Sequence, residues 1–115
     1  MRLGRQGEEL AAEYLIKLGY QILQRNYRTP RGEIDLLANQ GDTLVIVEVK
    51  SRRSLLYGEG FESVTKAKQK KLRLLAGIYL SDCQTFYATI RFDVISLLFD
   101  HQGGLVHLKH FKEAF

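Results

Sequence analysis

The sequence predicts a mixed α/β protein, a sheet packed against helices, in the order αβββαβ with a short C-terminal addition. Three observations predict it. Apolar residues recur at helical spacing over 5–18 and 63–81, strand-like runs fill 20–27, 33–38 and 43–50, and short Gly-, Pro- or Asp-containing turns separate the strands.

In the first helix, Ala11, Ala12, Leu15 and Leu18 form the inward stripe, and Gly19 is placed to end it. "YQILQRNY" alternates as a strand, with Tyr20, Ile22 and Leu23 as core candidates, and "RTPRG" holds the only proline and reads as a turn. The strands 33–38 and 43–50 are joined by "NQGD", which predicts an antiparallel hairpin. "SRRSLLYGEGFE" reads as a glycine-containing loop in which Tyr57, Gly58 and Gly60 are candidates for a flap. The second helix carries Val64, Leu72, Leu75, Ala76 and Tyr79 on one stripe. A strand within 86–99, a "DHQGG" turn and "LVHLKHF" as a last strand or short helix complete the chain.

A length of 115 residues fits one domain, 1–115, with no internal repeat or linker. Hydrophobic content of 45% and charged content of 26% argue against disorder. Lys and Arg number 17 against 13 Asp and Glu, a charge of +4 that leans towards polyanions. A single cysteine, Cys83, rules out an internal disulfide. With only three histidines besides, a zinc site of ordinary ligand spacing is not expected. The longest apolar runs, "LVIV" and "VISLLF", are far too short to span a bilayer, and "MRLGRQGEELAAEYL" lacks a secretory apolar segment. A cytoplasmic setting is the expectation.

The sequence places charge where a strand should be apolar. Asp35 interrupts one strand, and Glu48 and Lys50 interrupt the next. Side chains two apart in a strand share a face, so Glu48 and Lys50 lie beside Leu44 and Ile46 while Val45, Val47 and Val49 line the other side. The hairpin can bring Asp35 next to Glu48. Two converging carboxylates repel unless a cation lies between them. A hard divalent ion with oxygen ligands suits the pair, and Lys50 would face the same pocket. Metal, carboxylates and lysine together suit phosphodiester hydrolysis. Glu48 and Lys50 read equally as an ion pair on a solvated sheet face, with Asp35 a surface residue near the turn. Spacing alone does not separate the two readings.

"GxxGE" from Gly4 to Glu8, "GEID" from Gly32 to Asp35, "VEVKSR" from Val47 to Arg52 and "RFDV" from Arg91 to Val94 together resemble the YraN-type family of small bacterial proteins. The resemblance runs from about residue 3 to the C-terminal "EAF". That family is similar to the PD-(D/E)xK nucleases, with their restriction-endonuclease-like core, and in pattern to archaeal Holliday-junction resolvases. The resemblance implies a metal-dependent endonuclease acting on DNA, branched or flapped forms included, with Mg²⁺ or Mn²⁺ as cofactor and a homodimer as the working form. By position, Asp35 matches the metal-binding aspartate, Glu48 and Lys50 match the (D/E)xK element, and Val49 would lend its backbone carbonyl to the metal. Glu8 occupies the first-helix position of an extra metal-oriented glutamate, one turn before the stripe of Ala11, Ala12 and Leu15. Ile34 stands where the superfamily pattern has proline, a departure that leaves the chemistry untouched.

Basic residues surround these motifs. Arg28 and Arg31 flank Pro30, Arg52 and Arg53 follow the E-x-K strand, and Lys66, Lys68 and Lys71 stand on the second helix with Lys70 and Arg73. Contacts of this kind to phosphate supply affinity rather than selectivity. Lys68 shares the inward stripe with Val64 and Leu72 and so points towards the acidic residues. Arg91 and Asp93 read as a structural ion pair, His101, His107 and His110 as surface or packing residues, and Cys83 as inert. Two other functions fit the same chain: a non-catalytic nucleic-acid-binding module with a vestigial nuclease fold, and a protein-interaction adaptor whose basic helix is solvated surface.

Overall fold

A computed structural model describes residues 3–53 and 64–115, so the proposed flap residues Tyr57, Gly58 and Gly60 lie outside the described residues. The elements are α1 (Leu3–Lys17), β1 (Gln21–Thr29), β2 (Gly32–Gln40), β3 (Thr43–Arg53), α2 (Lys66–Asp82), β4 (Thr89–Phe99) and β5 (Leu105–Phe111). They realise the αβββαβ order, and the C-terminal addition is a strand. The five strands form one sheet in sequence order, antiparallel except for the parallel pair β3–β4. A parallel pair needs a crossover, which α2 supplies.

Alternation along β3 decides where the helices lie. Val45 and Val47 pack with Ala11, Ala12 and Leu15 of α1, whereas Leu44 and Ile46 pack with Leu72, Leu75 and Ala76 of α2. Each helix therefore covers its own face of the sheet, giving three layers.

Local chemistry sets the element ends. Gly19, at φ 95°, closes α1 with its N–H on the Ile16 carbonyl and the Tyr20 N–H on that of Leu15, both at 3.0 Å. This Schellman arrangement tucks Tyr20 against Leu15 in the core. It also places Leu18 outside the helix and 52% exposed, so the expected stripe ends one member earlier, at Leu15. Pro30 and Arg31 form the tight β1–β2 turn, which Thr29 Oγ1 ties by accepting the Arg31 N–H at 3.0 Å. Thr65 caps α2 by accepting the Lys68 N–H at 3.1 Å. Val64 thus precedes the helix, yet it is buried with the α2 residues, as a hydrophobic residue before a cap commonly is. Asp100 orders the β4–β5 turn by accepting the N–H groups of Gln102 and Gly104 at 2.9 and 2.8 Å.

Two features bear directly on the acidic residues. A Cβ at Gly7 would overlap Ser51 Oγ, so only glycine lets α1 lie this close to β3 and bring the next residue, Glu8, to the sheet. Ser51 Oγ is itself buried and has no hydrogen-bond partner among the described residues. The second feature is the β2–β3 ladder, which ends at the pair Leu36–Val47 while β3 continues alongside β4 as far as Arg53. Asp35 and Glu48 are the first residues beyond that last rung.

Candidate active site

Alternation fails at Asp35. Ile34 packs on the α2 side with Leu37, whereas Leu36 packs on the α1 side with Ala38, so the chain turns over at the residue between them. Across from it in β1, between the pairs Arg25–Leu36 and Tyr27–Ile34, stands Asn26 at φ 55°. With the ladder ended, the Val49 N–H finds its partner in a side chain and donates to Asp35 Oδ2 at 2.8 Å. Sequence reasoning expected Val49 to contribute its carbonyl; the structure gives its N–H a role in orienting Asp35.

Asp35 and Glu48 are hydrogen-bonded to each other. Burial, then the Asp35 charge beside it, pushes the Glu48 carboxyl up to about 7, against the opposing charges of Lys68 and Lys50. Asp35 is raised too, again chiefly by burial, although the Val49 N–H and the bond from Glu48 work the other way. Both carboxyls are pushed up together, so burial and their mutual charge favour a proton on the pair. A site that holds a proton between two carboxylates is one whose negative charge calls for a cation.

Three more predicted residues come to this point. Lys68 Nζ lies 3.6 Å from Glu48 Oε2, reaching down from the first turn of α2. Lys50 shares the face of Glu48, and its charge is felt there. Glu8 approaches from α1: burial raises its carboxyl, the charge of Asp35 adds to the rise, and a hydrogen bond from Asn26 opposes it. Both helices and two strands therefore contribute to one acidic centre. Among the described residues, however, no three His, Cys, Asp or Glu side chains close on a single point as metal ligands do. Two carboxylates nevertheless suit Mg²⁺, which commonly takes one or two from the protein and completes its shell with water and phosphate oxygens.

The remaining basic residues are divided among several tasks. Lys71 Nζ binds the Arg31 carbonyl at 2.9 Å and ties α2 to the β1–β2 turn. Arg73 lies over the Phe92 ring at 4.7 Å, a packing contact. Arg28 pairs with Glu33 at 3.1 Å, but both side chains are exposed and that link is weak. Arg53 donates to the His101 carbonyl at 3.4 Å, on the α1 side of the sheet away from Glu48. Lys66 and Lys70 line an open groove on α2 and face solvent.

A second polar cluster is built around Asp93, which is fully buried. Arg91 grips it with two contacts of 2.9 Å, His110 Nε2 lies at 2.8 Å, and the Glu113 N–H donates at 3.1 Å. Arg91 continues to the Tyr20 hydroxyl at 2.6 Å, and His110 Nδ1 to that of Tyr14 at 3.0 Å. Burial works to raise the Asp93 carboxyl, but the bonds from His110 and Arg91 outweigh it and hold the group below its ordinary value. The expected Arg91–Asp93 pair is present, and His110 is a hydrogen-bonded member of its network. This cluster ties α1, β4 and β5 together through side chains.

Fold and site together define a small mixed α/β protein that keeps a pair of carboxylates where two strands part, with lysines beside it. Residues 7–97 match the family described as "Uncharacterised protein family UPF0102", and the chain belongs to that family. A UPF0102 protein of Pelotomaculum thermopropionicum is 49% identical over 113 residues, covering 98% of this chain and 94% of that protein. One from Rhodococcus jostii is 45% identical over 115 residues, 100% of this chain and 97% of that protein. One from Dictyoglomus thermophilum is 36% identical over 113 residues, with 98% and 96% covered. Among the described residues, no helix is long and apolar enough to cross a membrane.

Proposed function

We propose that this chain is a divalent-metal-dependent endonuclease with a restriction-endonuclease-like core, hydrolysing phosphodiester bonds in DNA, branched or flapped forms included, as a homodimer. The observation that supports it best is the meeting of two carboxylates, Glu48 buried and Asp35 half-buried, at the divergence of β2 and β3, where the Val49 N–H holds Asp35 in place. Holding a half-buried carboxylate against a buried one is expensive unless a cation or a proton offsets the charge. Asp35 and Glu48, with Glu8 alongside, would hold Mg²⁺ or Mn²⁺. When bound, the ion supplies Lewis-acid polarisation of the phosphate and a water of lowered pKa.

The chain's own residues do the rest. Asp35 is held in one orientation by the Val49 N–H. Lys68 and Lys50 bring positive charge to Glu48, where they can stabilise negative charge developing on a phosphate. Lys66 and Lys70, solvent-facing on α2, offer contacts to a nucleic-acid backbone. A second reading, a nucleic-acid-binding module with a relic site, is favoured by one observation: no three ligand side chains converge among the described residues.

Labelled duplex, single strand, flap and four-way junction, each incubated with Mg²⁺ or Mn²⁺, separate the two. Cleavage by the wild type that is lost in Asp35→Asn and in chelator supports the nuclease. Absence of cleavage, with salt-sensitive DNA binding equal in both proteins, supports the binding module.

A further inference from the structure

Asn26 is the residue that neither the sequence motifs nor the family resemblance singled out. It lies within a strand, yet its φ is 55°, in the left-handed region that non-glycine residues seldom enter. Holding a residue there costs on the order of 1 kcal/mol, and such conformations concentrate at functional sites. The position is opposite Asp35, where the neighbouring strand turns over. Asn26 lies beside Glu8, and its side chain works to lower the Glu8 carboxyl, the direction expected when a carboxamide NH₂ faces a carboxylate. Asn26 and Glu8 also line two clefts together, one with Gly4, Arg5, Arg28 and Glu33, the other with Arg5, Glu9 and Arg25.

We propose that Asn26 is a positioning residue of the acidic centre: the left-handed kink of β1 aims its carboxamide at Glu8 and holds that carboxylate beside Asp35. The inference rests on the metal-site reading above. A neutral donor is the suitable choice for this task. Of the arginines near these clefts, Arg28 is turned to Glu33 at 3.1 Å. An arginine on Glu8 would neutralise the charge that a cation needs, whereas an amide fixes the carboxylate and leaves its charge intact. Partners of this kind orient ligands, and their loss typically weakens metal binding by about 10- to 100-fold.

The alternative is that Asn26 is present only because asparagine tolerates the kink. Glycine tolerates it better, so Asn26→Gly keeps the backbone and removes only the carboxamide. Mn²⁺ affinity by calorimetry and Tm by thermal denaturation are measured on the full chain for wild type, Asn26→Gly, Glu8→Gln and the double variant. The expected result is a Tm for Asn26→Gly close to that of the wild type, with Mn²⁺ affinity about tenfold weaker. In the Glu8→Gln background the same change has no further effect, because its action passes through Glu8. Unchanged affinity in Asn26→Gly, an equal loss in both backgrounds, or a large fall in Tm would overturn the positioning role while leaving the metal site standing. A wild type that binds no Mn²⁺ overturns the metal reading itself, and the purpose assigned to Asn26 with it.

Discussion

Replacing Glu48 by glutamine tests the energetics of the acidic pair without any substrate. Below its ordinary value of 4.5 the Glu48 carboxyl is protonated in folded and unfolded chains alike. Between 4.5 and about 7 the folded protein retains a proton that the unfolded chain has released, so stability falls as pH rises through this window and levels off above it. That displacement holds back on the order of 3 kcal/mol from the ionised folded state, and because Asp35 shares the titration we set the expected value at about 2 kcal/mol. Glutamine has the same shape, stays neutral, and can donate to Asp35 as protonated Glu48 does. The variant gives up the Lys68 contact, but that ammonium is 41% exposed and the contact is worth little. Urea denaturation from pH 4 to 8, with divalent ions removed, should therefore show Glu48→Gln equal to the wild type at the acid end. At pH 8 the variant should be about 2 kcal/mol more stable, roughly 8 °C in Tm for a chain of this size. A stability difference that does not vary with pH, or a variant less stable at pH 8, would refute the reasoning.

The Asp93 network predicts the opposite outcome. Asp93→Asn leaves Arg91 and His110 buried without their anion and should cost about 3–5 kcal/mol in chemical denaturation; a loss below about 1 kcal/mol would mean that the cluster is not what ties β5 to the sheet. Gly7→Ala should destabilise strongly, because the new methyl group meets Ser51 Oγ and, at 3.2 Å, Ser51 Cβ. Combining it with Ser51→Gly should recover most of the lost Tm, and a double variant no better than Gly7→Ala alone would place the strain elsewhere.

The period-two pattern of β3 made its two faces, and hence the side on which Glu48 and Lys50 lie, legible from sequence, because alternation is a local property of a strand. The same pattern misleads at Asp35: strict alternation puts Ile34 and Leu36 on one face, whereas the structure separates them. The cause is the ladder's end together with the Asn26 kink opposite, neither of which leaves a mark in hydropathy. An asparagine between Arg25 and Tyr27 in an otherwise alternating strand was the available signal, since asparagine enters the left-handed region more readily than most residues. The partners of Asp93 were hidden for another reason. Tyr14 and His110 meet from positions 96 apart in sequence, a contact that only the full topology creates. Lys68 was found because helical spacing from Leu72 is enough to aim it inward. Where α2 begins was not, because the Val64 side chain joins the core from outside the helix that its spacing had suggested.

The bond from the Val49 N–H to Asp35 makes the parting of two strands and the ordering of a side chain a single event. Ordinarily a widening sheet would leave that amide to water and let the neighbouring aspartate sample its rotamers. Here the aspartate takes the place of the missing strand carbonyl, so its freedom is surrendered during folding and not when something binds. Oδ2 is committed to the backbone, so the fold itself sets the orientation of the whole carboxylate.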